Sequence, residues 1–366
     1  MKVPVARVDL EDADLRRVEE VFRSGWIMQG PKVEAFEKAV ADFCGAPHAV
    51  AVTSGTTALH LMLHAAGIGP GDEVIVPSFS WIATANCVAY CGAKPAFCDV
   101  DLQTYNMTPA LATAAMGPRT KAILVVHQFG MPCDLDGFAR LARERGVALF
   151  EDAACAIGSE YGEARIGAFK ASRAACLSFH PRKVVTTGEG GMLLTADADL
   201  AGKVRRLRNH GQEGGHFVNI GYNYRMTDLQ AALGIGQVAR LPVTLSKRRA
   251  IAEVYRKELG SARGIALPAE PSGCRSNVQS FMIRFPEGGR VVRDRVASAL
   301  FSQGIATRPG IAPMHLEPCY AGTCTGLRLP NSERLAEDGL VLPLYASMEP
   351  SQAAEVARAI ASACRD

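Results

Sequence analysis

From Ala51 to Ala196 the chain alternates short apolar or β-branched runs with longer stretches in which apolar residues return every three to four positions. The short runs are AVAVTS ending at Ser54, EVIVPS at Ser78, PAFCDV at Val100, AILVVHQ at Gln128, ALFEDA at Ala153, AACLSF at Phe179 and GMLLTA at Ala196. Each has strand length, and the intervening segments, such as Thr57 to Gly67 and Leu135 to Gly146, have helical period. The alternation predicts an α/β fold built from βαβ units, with a seven-stranded, mostly parallel sheet sandwiched by helices.

After Asp228 the pattern changes to long helices, LQAALGIGQVARL and then the basic, amphipathic SKRRAIAEVYRKEL. These read as a connector leaving a first domain, which sets a boundary near residue 245: 1–245 form a large domain and 246–366 a small one. The second part alternates a strand (VQSFMIRF), a helix (VVRDRVASALFSQG), a Pro- and Gly-rich loop from Arg308 to Pro318 and a final helix from Ser351, a small α+β unit. A length of 366 residues suits two domains with a deep site between them. No internal repeat or long linker separates the two parts, so they are expected to pack closely.

Composition removes several classes. With 48% hydrophobic and 21% charged residues the chain is globular. The net charge is only +3, from 40 basic and 37 acidic residues that are interspersed, so charge gives no reason to expect a nucleic-acid or membrane partner. The eleven cysteines stand singly in apolar runs, as at Cys87, Cys91, Cys98 and Cys176, which is the pattern of buried reduced thiols. Neither Cys87 with Cys91 nor Cys319 with Cys324 forms a CxxC pair, and neither pair has a histidine neighbour at ligand spacing, so no metal is expected. The absence of any apolar run of signal-peptide or membrane-spanning length leads to an expectation of a cytoplasmic protein.

Three strand ends carry candidate chemistry. In EDAAC, Asp152 closes a buried strand, at the edge where open α/β sheets bind ligands. It reads equally as a helix N-cap or as the acceptor for a protonated pyridine nitrogen. In SFHPRKVVTTGEGGM a strand ends at Phe179, Pro181 forces a turn, and Lys183 projects from it ahead of the glycines 188 to 191. A lone strand-end lysine is commonly solvated. A lysine that forms a Schiff base needs this placement, with burial next to a cofactor lowering its pKa to free the amine. Ser178 and His180 share one strand face, Ser178 placed to donate to a phosphate and His180 to line the same pocket. In SGTTALHLML, Gly55, Thr56 and Thr57 open a helix at a strand end and offer amides and hydroxyls to an anion, or simply cap the helix. No GxxxxGK[ST] occurs and no GxGxxG follows a strand, which disfavours nucleoside triphosphate and dinucleotide folds. A phosphate cradle, a pyridine partner and an amine are together the three handles of pyridoxal 5′-phosphate (PLP), and Trp81 of PSFSWIATAN stands where an indole can stack on its ring or fill the core.

These residues resemble the DegT/DnrJ/EryC1/StrS family of sugar aminotransferases, PLP enzymes of fold type I. The likeness runs through SGWIMQGPKVEAFE, SGTTALHL, GPGDEVIVPSFSWIATAN, EDAAC, SFHPRKVVTTGEGGM, GYNYRMTDLQAALG and TRPGIAPMH. It implies that Lys183 carries PLP as a Schiff base, that Asp152 pairs with the ring nitrogen, and that Thr56, Thr57 and Ser178 hold the phosphate. It further implies a homodimer with shared sites, Asn223 of GYNYR reaching the partner chain's phosphate. Trp26, Glu189, Arg308 and His315 fall in segments that the resemblance assigns to the substrate. One departure is Cys155, where many members have Gln or His near the cofactor's ring oxygen.

The resemblance implies an amino group taken from a donor, L-glutamate in most of the family. It is stored as pyridoxamine 5′-phosphate and passed to a nucleotide-linked keto-sugar, often a 4-keto-6-deoxy sugar, for surface polysaccharide or a glycosylated natural product. Amination of a 3-keto sugar or a cyclitol, and PLP binding by a regulatory protein without turnover, stay open. The family's dehydratase branch has histidine in place of the lysine, and Lys183 speaks against it. A cysteine desulfurase would need a reactive loop thiol, for which Cys319 and Cys324 are faint candidates.

Overall fold

The computed structural model describes residues 1–364. Seven strands form the main sheet: β1 (His48–Val52), β2 (Glu73–Pro77), β3 (Lys94–Cys98), β4 (Thr120–Val126), β5 (Ala148–Asp152), β6 (Ala174–Ser178) and β7 (Gly191–Thr195). Their order is β1-β7-β6-β5-β4-β2-β3. Pairings among β2 to β6 are parallel, whereas β7 runs antiparallel to both its neighbours. The strands are almost wholly buried because helices cover both faces, the environment that favours continuous apolar strands. All seven strands foreseen from the pattern are present.

This order puts the carboxyl ends of β1 to β6 and the beginning of β7 along one edge. The register makes it concrete. Gly191 pairs with Val52 on one side and Ser178 on the other, and Asp152 lies between Val126 and Cys176. Chain segments far apart in sequence therefore meet there.

A second sheet has three antiparallel strands, β8 (Phe281–Arg284), β9 (Arg308–Pro309) and β10 (Gly339–Leu342), in the order β8-β10-β9. It packs with the helices Gly289–Ser302 and Pro350–Ala363 around a core containing Phe281, Ile283, Leu300 and Ile360. Buried Arg284 grips Asp338 through two hydrogen bonds of 3.0 and 2.7 Å. Residue 245 lies inside the continuous helix Leu241–Leu259. Leu241 and Leu245 of that helix belong to the core beside the main sheet, while Ile251, Tyr255 and Leu259 belong to the core of the second. The N-terminal segment also reaches the second sheet region: Val3 bridges Ile305, and Val5 O accepts from Leu344 N–H at 3.2 Å. Among the described residues no helix is long and apolar enough to cross a membrane, and all eleven cysteines are free.

Candidate active site

The helix Gly55–Ala65 begins where β1 ends. Ser54 caps it: Thr57 N–H donates to Ser54 Oγ at 3.1 Å, and Ser54 N–H donates to Thr57 Oγ1 at 3.0 Å. The Thr57 hydroxyl also donates to Ser54 O at 2.8 Å, so this side chain is engaged in the cap. The amides of Gly55 and Thr56 precede the helical ladder and lie at the positive end of the helix, an arrangement suited to an oxyanion. Gly55 is required for the close approach of β6: a Cβ there would stand 2.8 Å from Ser178 Cβ and 3.2 Å from its Oγ. Gly191 does the same from β7, since its Cβ would fall 2.2 Å from Ser54 O. The two glycines thus seat Ser178 against the helix start.

Asp152 closes β5 and is only 4% exposed. Its Oδ2 accepts from Thr84 Oγ1 at 2.8 Å and its Oδ1 from Ala154 N–H at 3.1 Å. Thr84 Oγ1 lies in turn 3.0 Å from Ser80 Oγ. Burial pushes the carboxyl above the usual range, although Thr84, Ala154, Lys183 and His127 act against it.

Lys183 stands in the turn after Pro181, its N–H donating to His180 O at 2.8 Å. Its Nζ donates to Cys155 Sγ at 3.0 Å. Burial draws the amine's pKa down, but Cys155, Asp152 and Cys176 outweigh it and the net shift is upward. The upward direction belongs to an amine facing Cys155 and Asp152; the lowering expected from the sequence is that of an amine buried against a cofactor. His180 is half-buried, and its Nδ1 accepts from Arg182 N–H at 3.2 Å. Burial lowers its pKa, opposed by Glu189 and assisted by Lys183 and Arg182.

Two residues that sequence reasoning passed over hold this assembly from the second part of the chain. The carboxamide of Gln279 accepts from Val184 N–H at 3.0 Å and donates to Arg182 O at 2.5 Å, so it brackets Lys183. Asn277 Nδ2 donates to Cys155 O and Ile157 O, each at 2.9 Å, and its Oδ1 accepts from Gln279 N–H at 2.8 Å. Val278 between them has φ +51°, a strained conformation for a β-branched residue. Buried Arg248 secures it by donating to Val278 O and Gln279 O. Polar residues just ahead of a strand were the available signal, but a positive φ at valine leaves none.

The other candidates are more dispersed. Trp81, just past β2, is 68% exposed. Asn223 is exposed on a segment whose backbone bridges Asn209, and Glu189 is exposed while its carbonyl accepts from Thr187 and Gln230. Trp26 is exposed and covers Gly30, donating from Nε1 to Gln29 O at 3.2 Å. Arg308 is half-buried, with a buried Nε that has no partner among the described residues. Burial and the nearby Arg182 lower its pKa. His315 is fully buried, Nδ1 at 2.7 Å from Ser78 Oγ and Nε2 at 3.3 Å from Glu333, so both ring nitrogens have partners within the chain.

A sheet of this order, with a buried acid, an amine and a helix-start oxyanion nest on one edge, defines the fold type I class of PLP-dependent transferases. The residues fit that cofactor: the glycine-cleared nest suits its phosphate and the buried carboxyl its ring nitrogen. Over residues 8–361 the chain matches the DegT/DnrJ/EryC1/StrS aminotransferase family, and it belongs to that family. It is 40% identical over 366 residues to a GDP-perosamine synthase of Caulobacter vibrioides, covering 99% of this chain and 97% of that one. Its fold is similar to DesV of S. venezuelae, with TM-score 0.94, 36% identity and coverage of 100% and 99%. It is also similar to Spr1654 of Streptococcus pneumoniae, described as a sugar aminotransferase and solved in a PLP form, with TM-score 0.93, 26% identity and coverage of 99% and 98%.

Proposed function

We propose that this aminotransferase moves an amino group from an amino-acid donor, L-glutamate, to a nucleotide-linked keto-sugar, with Lys183 as the residue that holds PLP and carries the proton. The carrying observation is the convergence of Lys183, Cys155 and Asp152 at the strand-end edge, beside the open amides of Gly55 and Thr56. The family membership and the nucleotide-sugar product in the name of the Caulobacter relative support the substrate class, and a GDP-linked 4-keto-6-deoxy sugar is the first to test.

PLP supplies an electron sink for the charge left when the donor's α-carbon loses its proton. The remaining tasks belong to the chain. The Gly55 and Thr56 amides and Ser178 Oγ would bind the phosphate, and Asp152, kept in place by Thr84, would accept from the ring nitrogen. As the free amine, Lys183 Nζ would carry the donor's α-proton, its turn held still by Gln279. Trp81 would cover the ring, and His180 and Glu189 would line the approach. Arg308, with a buried unpartnered Nε and Arg182 nearby, receives an anionic part of the substrate.

The working form is a homodimer in which Asn223 reaches the partner's phosphate site. Exposed apolar side chains on two segments, Trp26, Ile27 and Met28 on one and Phe217, Val218 and Ile220 on the other, the last 93% exposed, are candidates for cover by a second subunit. Eleven free cysteines suit a reducing cytoplasm. The test is half-transamination of the purified holoenzyme: L-glutamate should abolish the visible absorbance of bound PLP, and the keto-sugar should restore it. Retention of that absorbance with every amino acid would leave a PLP-binding protein without turnover.

A further inference from the structure

The helix Gly55–Ala65 carries His60 and His64 one turn apart, and it packs against the helix Ala83–Tyr90, which Cys91 terminates. Sequence spacing sets Cys91 apart from any histidine, but the fold brings these three together. One ligand atom from each of His60, His64 and Cys91 lies within 4.8 Å of the others. His60 and Cys91 are buried, and His64 is exposed at the mouth of the cluster.

The second observation is an orphan. His60 is 5% exposed, yet its Nε2 has no hydrogen-bond partner among the described residues, while Nδ1 has only a long contact of 3.4 Å with the Tyr224 hydroxyl. The nearest acceptor for the Cys91 thiol is His60 O, 3.9 Å away. Tyr90, Tyr222 and Tyr224 pack their rings against His60 at centroid distances of 5.8, 5.0 and 6.0 Å, closing the cluster with aromatic walls. A buried imidazole nitrogen without a partner is costly, and a ligand-bearing ion is one remedy.

We propose that His60, His64 and Cys91 form a binding site for one divalent transition-metal ion of the zinc type, with water completing four-coordination. Two imidazoles and a thiolate are a zinc donor set, and histidines at i and i+4 on one helix face are an established way of presenting two of them. Around a tetrahedral ion such donors stand roughly 3.3–3.6 Å apart, so closure from 4.8 Å asks for a side-chain rotation, which exposed His64 is free to make. Burial drives His60 down to about 4, so its ring is neutral and ready to ligate. Burial holds Cys91 up at about 11, so one thiol proton leaves to solvent as the metal–sulfur bond forms. The bound ion ties two helices together and, through the stacked rings of Tyr222 and Tyr224, steadies the segment that carries Asn223. This site does not depend on the roles given to Lys183 or Asp152.

The test uses metal-free holoenzyme titrated with Co²⁺, whose thiolate complexes give a near-ultraviolet charge-transfer band and visible ligand-field bands. One Co²⁺ per chain with both signatures, displaced by Zn²⁺, is expected. Cys91→Ser should abolish the charge-transfer band, and His64→Ala, at an exposed position that leaves folding intact, should weaken binding by about tenfold or more. Cys319→Ser, removing an exposed thiol elsewhere, should change nothing. Absence of a thiolate band in the parent protein, or a band that survives His64→Ala unweakened or follows Cys319, overturns the assignment.

Discussion

Lys183 and Cys155 meet through a hydrogen bond of 3.0 Å from amine to sulfur, at the position where relatives were expected to carry Gln or His. With Asp152 and Cys176 behind it, this contact shifts the amine's pKa upward against the effect of burial. An ammonium is not a nucleophile, so capture of PLP by the cofactor-free enzyme should speed up as pH rises, by as much as tenfold per unit while pH stays below the raised pKa. In Cys155→Ser one of the raising partners is lost, so capture near neutral pH should be severalfold faster. Stopped-flow absorbance against pH measures both; a flat profile in the parent enzyme would contradict the protonated lysine.

Lys183→Ala should purify folded, with unchanged far-ultraviolet circular dichroism, yet form no borohydride-reducible adduct with PLP. A normal adduct would move the cofactor linkage to another lysine.

Gln279 serves the Lys183 turn by two hydrogen bonds from the segment just ahead of β8. Gln279→Ala leaves Val184 N–H and Arg182 O unpaired, so stability should fall by about 1–3 kcal/mol in urea unfolding of the cofactor-free chain. The positioning role has its own readout: PLP capture should slow even where the variant is fully folded. Equal capture rates would reduce Gln279 to a structural residue.

Gly55→Ala places a methyl 2.8 Å from Ser178 Cβ, inside van der Waals contact. Relief requires the helix start to move away from β6, and PLP affinity should drop by about tenfold, the equivalent of roughly 1.4 kcal/mol. Equilibrium dialysis against PLP checks this, with Gly202→Ala, in the helix Ala198–Arg208 where an added methyl meets nothing within 4 Å, as the comparison.

The main sheet was readable because its strands are buried on both faces and written as short apolar runs between helical patterns, so type and place were both marked. The edge bearing Asp152, Lys183 and Gly55 was readable for the same reason, since each residue ends or follows such a run. Other features had no linear signal. Thr57 carries the residue type of either a ligand or a cap, and its side chain hydrogen-bonds locally to Ser54, a contact no residue type alone records. The resemblance places His315 in a substrate-contacting segment, and no local pattern shows that Ser78 and Glu333 take both its ring nitrogens. The Asn277 and Gln279 clip depends on a left-handed valine and on contacts across more than ninety residues, neither of which a period or a propensity records. Residue 245 showed a change of pattern, yet the helix through it runs unbroken because its two halves are apolar toward different cores.

The reversed direction of β7 has a consequence for how this enzyme can vary. Because the chain leaves β6 at Ser178 and re-enters the sheet at Gly191 on the same edge, no helix crosses the face between them. The whole intervening stretch, lysine included, begins and ends at the edge that carries Asp152. Additions or deletions there would shift Lys183 relative to Asp152, so diversification toward new sugars is expected in other loops, with this span fixed in length.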